Sequence, residues 1–545
     1  MTGTLTPLEE DLLAALDPRE IAAYQQILTA SLPTPGDEAA QDRAVAFIRR
    51  KLRSWGVPTT IHRFDALVSV PGPARLSLAR RDAPVPALVL PYSPATPAGG
   101  LVAELRAATP DTAADGDLAG MVALIDGPPT AATVARIAAW GAVAQVYIAA
   151  AETLVPVPVA AADGGPAPTP VVTIGRAAGE GFLALGAAGA TPVRLSVETG
   201  WARCQLALPV ATIRGVEEPE TFVLLGASGP APGAGGEAAA CLLEFCRVLA
   251  EQAGRLRRGV RCAWWPQGAL PATGPRWYTE HAWEDLGRHA ACYVELATAE
   301  GRQLAHLAAW GGVALRPFAE SALRDGGVRA VAWDTGAARI DTLGPFARRG
   351  LPALRLAVGQ AGALGAGVPT VARLCTVPLL PCDVVATARA IEARLRAILA
   401  VNGDALDLAP LRARASAFLA ASERLQLGLL HIAQADSPHY EEGLELGNRA
   451  LRRLDRLLVP LLHHPGDPYA TPTTDVSTGS VHSNALLPGL DTVLTAAAAD
   501  GDDLPEGLRL RADAIGARNR LLDALNAGVE VSEEVLAALR PLGFG

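Results

Sequence analysis

A buried-strand pattern that runs through a glycine-rich loop into a helical pattern constrains the fold of this chain more than any other feature. Residues 222–225 (FVLL) form a short apolar run, and residues 241–250 carry apolar side chains at helical spacing. Between them, residues 226–240 are almost entirely Gly, Ala and Pro. This order predicts an α/β sheet with a site at the carboxyl end of the strand. The loop has only Ser228 and Glu237 as polar side chains, so it offers few groups for chemistry.

The stretch from 219 to 250 resembles the zinc-dependent exopeptidase superfamily, which contains aminopeptidases, glutamate carboxypeptidase II and the transferrin receptor. In that superfamily a His-x-Asp pair follows the strand, and a metal-bridging Asp with an Asn neighbour opens the helix. Here Ser228 and Pro230 stand at the first pair, and Gly236 and Glu237 stand at the second. The resemblance therefore implies the frame of a metallopeptidase without these ligands.

The next part of the resemblance concerns the catalytic glutamates. Residues 274–278 (GPRWY) resemble the Gly-Ser-x-x-Tyr motif, and this alignment puts Gly268 and Ala269 where the superfamily has two glutamates. The first of those glutamates is the general base and the second is a metal ligand. Residues 292–297 (CYVELA) resemble the following strand, with Ala297 at the place of another ligand.

The best preserved motif lies in residues 341–354, which resemble D-x-x-x-F-x-x-x-G-Φ-P beginning at Asp341. The superfamily has its last histidine ligand soon afterwards, but no histidine occurs from 307 to 430. Because a two-zinc site needs its full set of ligands and a base, the resemblance predicts no bound metal, no cofactor and no catalytic residue. The vestigial site positions are Ser228, Pro230, Gly236, Glu237, Gly268, Ala269, Ala297 and Asp341.

Two other sites remain open as alternatives in the sequence. Ser228 lies in a glycine-rich loop and is conceivable as a nucleophile, but it lacks the G-x-S-x-G elbow and a base nearby in sequence. His281, Asp285 and His289 are spaced to share one helical face and to hold a metal, although a solvated helix face explains the same spacing. We favour the plain interpretation in both cases.

The predicted cleft is apolar. Replacing charged ligands with small residues removes groups that would repel one another without metal. We therefore expect small and apolar groups beside Ser228, Gly268 and Ala297, with Trp264 or Trp265 close.

The N-terminal segment contains helix-start signals. Thr6 and Glu9 have the capping-box spacing with Pro at the first helical position, and Asp17 before Pro18 repeats the pattern. Helices are predicted over 7–16 and 18–31.

Changes in composition divide the chain into three parts. Residues 65–200 are rich in Ala, Val, Pro and Gly, and their strands resemble a protease-associated domain, which the transferrin-receptor branch inserts after the first strand of the catalytic domain. We predict an α/β fold in which residues 1–64 and 201–400 form an exopeptidase-like domain with a phosphorylase/hydrolase-like, doubly wound mixed sheet. Residues 65–200 are the inserted, β-rich (apical) domain, and residues 401–545 are a helical domain.

The C-terminal part resembles the helical dimerisation domain of the same branch. Its patterns predict helices over 405–434, 438–459 and 503–526. The apolar face of the second helix exceeds what one small domain needs, so we predict a homodimer. The leucines of this face are Leu451, Leu454, Leu457 and Leu458.

Composition limits the classes of function. A chain of 545 residues is too long for one core. A net charge of -9, spread along the chain, argues against nucleic-acid binding. There is no apolar run long enough for a membrane span and no secretory signal at the start, which favours a cytoplasmic protein. The seven cysteines form no CxxC motif, so we expect buried thiols rather than disulfides or zinc ligands.

These observations give two hypotheses. The first is a non-catalytic homologue of zinc metallopeptidases that acts as a binding or scaffold protein, with a protein or peptide as its ligand. The alternative is an active hydrolase of small peptides or amino-acid amides with a rebuilt site. The missing ligand set favours the first.

Overall fold

The structure is a computed structural model. It describes residues 5–30, 38–109, 118–154, 156–157, 159, 166–188, 191–229, 236–266, 273–298, 306–328, 330–333, 342–358, 360–402, 408–434, 436–463, 487, 490 and 505–544. Four of the predicted site positions, Pro230, Gly268, Ala269 and Asp341, lie outside these ranges.

Helices form both ends of the chain and alternate with strands between them. The helices are α1 (Pro7–Ala15), α2 (Pro18–Ala30), α3 (Glu38–Ser54), α4 (Ala131–Ala139), α5 (Arg176–Ala188), α6 (Glu237–Glu251), α7 (Thr273–His281), α8 (Trp283–His289), α9 (Arg316–Asp325), α10 (Gly344–Arg348), α11 (Gln360–Thr376), α12 (Val384–Asn402), α13 (Ala409–Gln434), α14 (Tyr440–His463) and α15 (Pro505–Leu539), with short 3-10 helices at Ala253–Arg255 and Arg540–Leu542. None of the described helices is long and apolar enough to cross a membrane.

The strands form one continuous hydrogen-bonded sheet. They are β1 (Thr59–Leu78), β2 (Arg81–Val89), β3 (Leu101–Ala107), β4 (Val122–Asp126), β5 (Ala144–Ile148), β6 (Val171–Ile174), β7 (Pro192–Ile213), β8 (Glu218–Ser228), β9 (Arg258–Trp265), β10 (Ala290–Thr298), β11 (His306–Gly311), β12 (Ala330–Trp333) and β13 (Ala353–Val358).

The predicted capping box at the start of α1 is confirmed. The amide of Thr6 donates to the Glu9 carboxylate at 2.8 Å, and the amide of Glu9 donates to the Thr6 hydroxyl at 3.3 Å. The same carboxylate accepts a hydrogen bond from Arg373 of α11 at 2.7 Å. One short motif therefore both starts the helix and fixes it to the body of the protein.

The long strands β1 and β7 divide the sheet into two regions. The halves of β1 and β7 that lie away from the parallel strands belong to a group of strands in the order β1-β2-β6-β5-β4-β3-β7. This group closes into a ring because β1 also pairs with β7. Their proximal halves continue as β7-β9-β8-β10-β13-β11-β12, in which β8, β9, β10 and β13 run parallel. The mixed α/β sheet predicted from sequence is confirmed for this second region.

Helices cover both faces of the mixed region. The helix-side core packs against α1, α2, α3, α6, α9 and α11, and it continues into the C-terminal helices. The opposite core, which we call the cleft-side core, packs against α7, α8 and α10. All seven cysteines are buried and unbridged, as expected for small apolar side chains.

The C-terminal helices differ in part from their predicted bounds. The sequence pattern did not predict α12, and the last helix continues to Leu539 rather than ending near residue 526. Leu451, Leu454 and Leu458 are buried in the helix-side core of their own chain. The apolar face of α14 is therefore used within the chain, and it does not by itself support a dimer.

A buried arginine joins the sheet to these helices. Arg258 of β9 is fully buried, and its guanidinium donates to the carbonyl oxygens of Leu374, Val377 and Pro378 at 2.9, 2.7 and 3.0 Å. From the other side, the amide of Asn448 in α14 donates to Pro378 at 2.9 Å. The bond to Leu374 is buried and the others are part-buried, so Arg258 and Asn448 together fix the end of α11 and the loop after it between the sheet and α14.

A buried carboxyl group lies where α14 meets the sheet. Asp455 lines a small cavity with room for about one water molecule, and its Oδ2 has no hydrogen-bond partner among the described residues. Burial raises the pKa of Asp455 from 3.8 to about 7. Because the folded state holds this proton more tightly than the unfolded state, the contribution to stability is fully present below pH 3.8 and is lost as the pH rises through about 7.

We therefore expect Asp455→Asn to remove a pH dependence. The variant and the wild type should have similar free energies of unfolding near pH 4, and the variant should be the more stable at pH 8, by up to roughly 4 kcal/mol. Urea denaturation across this pH range measures the difference. Asp436→Asn, at an exposed position, is the control, and parallel profiles for all three proteins would contradict the assignment.

Candidate functional site

The strand register brings two of the predicted site positions together. Ser228, the last residue of β8, pairs with Trp265 of β9. On the other side of β8, Ala227 pairs with Leu296 of β10, so Ala297 lies level with Ser228. Because these three strands are parallel, Ser228, Trp265 and Ala297 form a row at the carboxyl edge of the sheet. This edge is where open α/β sheets place their sites.

The start of α6 depends on glycine. Gly236 precedes the helix with φ 69°, a left-handed conformation that favours glycine, and it provides no side-chain cap. Glu237 is the first helical residue and is half-buried. A carboxylate in the first turn of a helix is stabilised by the helix dipole. Burial first, and then the charge of Glu237, raise the pKa of Cys241 to about 12.

The two adjacent tryptophans serve different faces of the sheet, because successive side chains of a strand point in opposite directions. Trp264 is buried in the helix-side core, and its indole N–H donates to the carbonyl of Ala239 in α6 at 3.1 Å. Trp265 is buried in the cleft-side core, and its indole N–H donates to the Tyr293 hydroxyl at 2.9 Å. Only Trp265 shares a face with Ser228.

Aromatic rings fill the space beside this row. The ring centroids of Tyr293 and Phe346 are 3.9 Å apart, and that of Trp265 is 5.8 Å from Phe346 and 5.9 Å from Tyr278. We call these four residues the aromatic cluster. A Cβ atom on Gly226 would lie 2.5 Å from both the Trp265 Nε1 and the Tyr293 hydroxyl oxygen. The rings therefore pack directly on the backbone of β8.

A buried carboxylate, Glu295, completes the edge. Its Oε2 accepts a hydrogen bond from the Nε of Arg355 at 2.6 Å, and its Oε1 accepts one from the Thr342 hydroxyl. Glu295 and Arg355 are direct partners in the parallel register of β10 and β13. Burial, and next the charge of Glu295, raise the pKa of the neighbouring Tyr293 well above its ordinary value. Both oxygens of the Glu295 carboxylate therefore already accept hydrogen bonds, one from Arg355 and one from Thr342.

Sequence reasoning missed this ion pair, although a signal exists. Glu295 and Arg355 each interrupt an apolar strand, and both interruptions fall on the same face once the strands are in register. Opposite charges in the middle of two neighbouring buried strands indicate a pair. Without the register, the two residues could not be matched.

The prediction that His281, Asp285 and His289 share one face of a single helix is wrong, for the metal site and for the solvated face that we favoured. The segment forms two helices, α7 and α8, interrupted at Ala282. The Nδ1 of His281 lies 2.8 Å from the carbonyl oxygen of Trp277, and Asp285 forms an ion pair with Arg261. Within the described ranges, no group of three or more His, Cys, Asp or Glu side chains is arranged to hold a metal.

The packing at Gly226 predicts a large effect of adding one methyl group. Gly226→Ala should force the Trp265 and Tyr293 rings apart and lower the free energy of unfolding by about 1–3 kcal/mol. Gly186→Ala in α5, where an added Cβ meets nothing within 4 Å, is the matched control and should be neutral or slightly stabilising. Equal midpoints in urea for both variants would show that the rings do not fill this space.

Comparisons with known proteins bear on the fold. No family model matches the sequence, and no curated protein is significantly similar to it. Among solved structures, the chain is similar to a peptidase M28 precursor from Shewanella amazonensis, with a TM-score of 0.53 and 17% identity over 68% of this chain and 94% of that chain. It is also similar to an aminopeptidase from an Aneurinibacillus species (TM-score 0.49, 16% identity, 67% and 96% covered) and to a zinc aminopeptidase from Bacillus subtilis (TM-score 0.49, 18% identity, 64% and 86% covered).

The similarity to the Shewanella amazonensis protein is the one that indicates the fold. At 17% identity it shows the fold alone. The mixed sheet with helices on both faces is therefore the fold of the M28 peptidases.

Proposed function

We propose that this chain is a non-catalytic homologue of zinc metallopeptidases that acts as a binding or scaffold protein. One observation carries the proposal: the carboxyl edge of the sheet holds the row Ser228, Trp265 and Ala297, where a metallopeptidase needs metal ligands. Beneath that row, the rings of Trp265 and Tyr293 are joined by a hydrogen bond and cover the backbone of β8. The edge is thus built from packed rings and small side chains.

The donor set of the described residues does not fit the two zinc ions that the fold implies. Gly236 and Ala297 have no ligating atom in their side chains, and Ser228 offers only a hydroxyl. Zinc prefers thiolate, imidazole and carboxylate ligands. The carboxylate of Glu295 is already neutralised by Arg355. No catalytic step through a metal follows from these residues.

The same geometry disfavours a serine hydrolase. Ser228 has Trp265 and Ala297 as its neighbours across the sheet, and neither side chain can act as a general base. Among the described residues of this edge, the small side chains of Ser228 and Ala297 suit a peptide backbone or an apolar side chain as ligand. Binding of that kind would need no metal and would produce no turnover.

We also propose the domain division predicted from sequence and the relation to the transferrin-receptor branch. The closed ring of strands supports an inserted protease-associated unit over 65–200. One apolar core of this region contains only residues between Leu76 and Val197, and a second contains only residues between Leu90 and Val171. Separate cores are the physical mark of a separate unit. Residues 1–64 with 201–400, and 401–545, would then be the other two units.

The proposal predicts that the purified protein contains no stoichiometric zinc and does not cleave peptides. Elemental analysis after purification without chelator measures the metal, and aminopeptidase assays with and without EDTA measure turnover. A Ser228→Ala variant should equal the wild type, and the Bacillus subtilis zinc aminopeptidase is the positive control. One or two zinc ions per chain would contradict the absence of zinc, and cleavage in EDTA that Ser228→Ala abolishes would establish an active hydrolase.

We propose in addition that the chain is a homodimer through its C-terminal helices. The support is an apolar surface on α13, where Leu427 is 62% exposed and Leu430 is 44% exposed. These residues are neighbours at i and i+3 on one face.

Light scattering at micromolar concentration should give the mass of a dimer for the wild type. Leu427→Glu with Leu430→Glu should give a monomer with unchanged helix content, because two charges would be buried in the interface. Leu185→Glu on α5, also 44% exposed, is the control. A monomeric wild type would contradict the proposal.

A further inference from the structure

The arginines of α14 are paired in an unusual way. The exposed Arg449 and Arg453 each form an ion pair with a glutamate. The half-buried Arg452 and Arg456 have no hydrogen bond or ion pair with any residue that the structure describes. Burying an unpaired charge is unfavourable, so buried arginines are normally the ones that have ion-pair partners. On α14 the exposed arginines have partners and, among the described residues, the half-buried ones do not. Arg452 and Arg456 therefore need an explanation.

The fold places a third arginine beside them. Arg452 and Arg456 are four residues apart and so share one face of α14. The turn before β13 packs against this face, since a Cβ on Gly350 would lie 2.6 Å from the Cα of Arg456. Arg349, the preceding residue, stacks its guanidinium 4.4 Å from the ring centroid of Trp283 and donates to the carbonyl oxygen of Trp283 at 2.8 Å.

The three guanidinium groups repel one another. Burial lowers the pKa of Arg456, and the charges of Arg349 and Arg452 lower it further. Burial also lowers the pKa of Arg452. Three like charges in a half-buried place are stable only if something of opposite charge lies between or above them.

The carboxylates near Arg452 and Arg456 do not neutralise these two arginines. Glu218 and Glu445 attract Arg452, and Asp455 attracts Arg456. However, Glu218 accepts hydrogen bonds from Arg257 and Arg258, and Glu445 is paired with Arg449 of α14. Asp455 lies in the interior, with a pKa near 7. Arg452 and Arg456 thus keep a surplus of positive charge at neutral pH among the residues that the structure describes.

From this geometry we propose that Arg349, Arg452 and Arg456 form a binding site for an oxyanion of the phosphate class, which we call the arginine site. Planar guanidinium groups bind phosphate oxygens through paired N–H donors, and a doubly charged anion with several acceptor oxygens satisfies more donors than a single carboxylate. The arginine site lies near the amino end of β13, whereas the row of Ser228 and Ala297 lies at the carboxyl ends of the strands. It is therefore separate from the proposed peptide cleft.

Calorimetric titration of the full chain with inorganic phosphate tests the proposal, with acetate at equal ionic strength as the comparison. Phosphate should bind with one site per chain, and acetate should bind more weakly. Arg452→Gln and Arg456→Gln should each weaken phosphate binding by about tenfold or more, the loss typical of a charge-assisted contact. Arg453→Gln, one residue away on the exposed face, is the matched control and should bind like the wild type.

A thermal measurement keeps the test independent of folding defects. In chloride, Arg452→Gln and Arg456→Gln should melt at or above the wild-type temperature, because each removes an unpaired charge. In phosphate, the melting temperature should rise for the wild type and for Arg453→Gln only. No phosphate binding by the wild type, equal effects of acetate and phosphate, or equal losses in all three variants would each overturn the arginine site.

Discussion

The contact of Trp265 and Tyr293 with the bare backbone at Gly226 is the constraint on which the candidate site depends. Two rings joined by an indole-to-hydroxyl hydrogen bond lie against β8 only because residue 226 has no Cβ. Phe346 then packs on Tyr293, which fixes the turn that leads into β13. The carboxyl edge of the parallel strands, which is a ligand cleft in many α/β proteins, is thereby supported from below by a packed apolar layer. Two small residues, Ser228 and Ala297, lie above that layer in the same row.

A second constraint connects this sheet to the C-terminal helices. Arg258 donates to the carbonyl of Leu374 in the last turn of α11 and to those of Val377 and Pro378 in the following loop, while Asn448 reaches Pro378 from α14. The loop also contributes apolar side chains to the core, since Leu380 and Cys382 are buried. This arrangement places α14 against the turn at Gly350, and the same placement assembles the arginine site.

Local signals predicted much of the fold, and pairing between distant residues accounts for what they missed. The capping box at Thr6, the strand at 222–225 and the helix after Gly236 follow from neighbouring residues, and the structure confirms each of them. Family-like motifs also indicated that Ser228 and Ala297 belong to one site, and the register places them in one row. The pair of Glu295 with Arg355 depends on strand register, which no local pattern encodes. The break at Ala282 and the internal use of the leucines on α14 likewise depend on tertiary packing.

The central claim is that packed side chains, not metal ions, occupy the carboxyl edge of this sheet. A crystal structure of the protein grown with excess zinc, with anomalous data collected at the zinc edge, tests that claim most directly. The account predicts no anomalous peak beside Ser228 and Ala297, and an indole nitrogen of Trp265 within hydrogen-bonding distance of the Tyr293 hydroxyl. Two strong peaks at that edge, separated by the roughly 3.5–4 Å typical of two-metal sites, would contradict it.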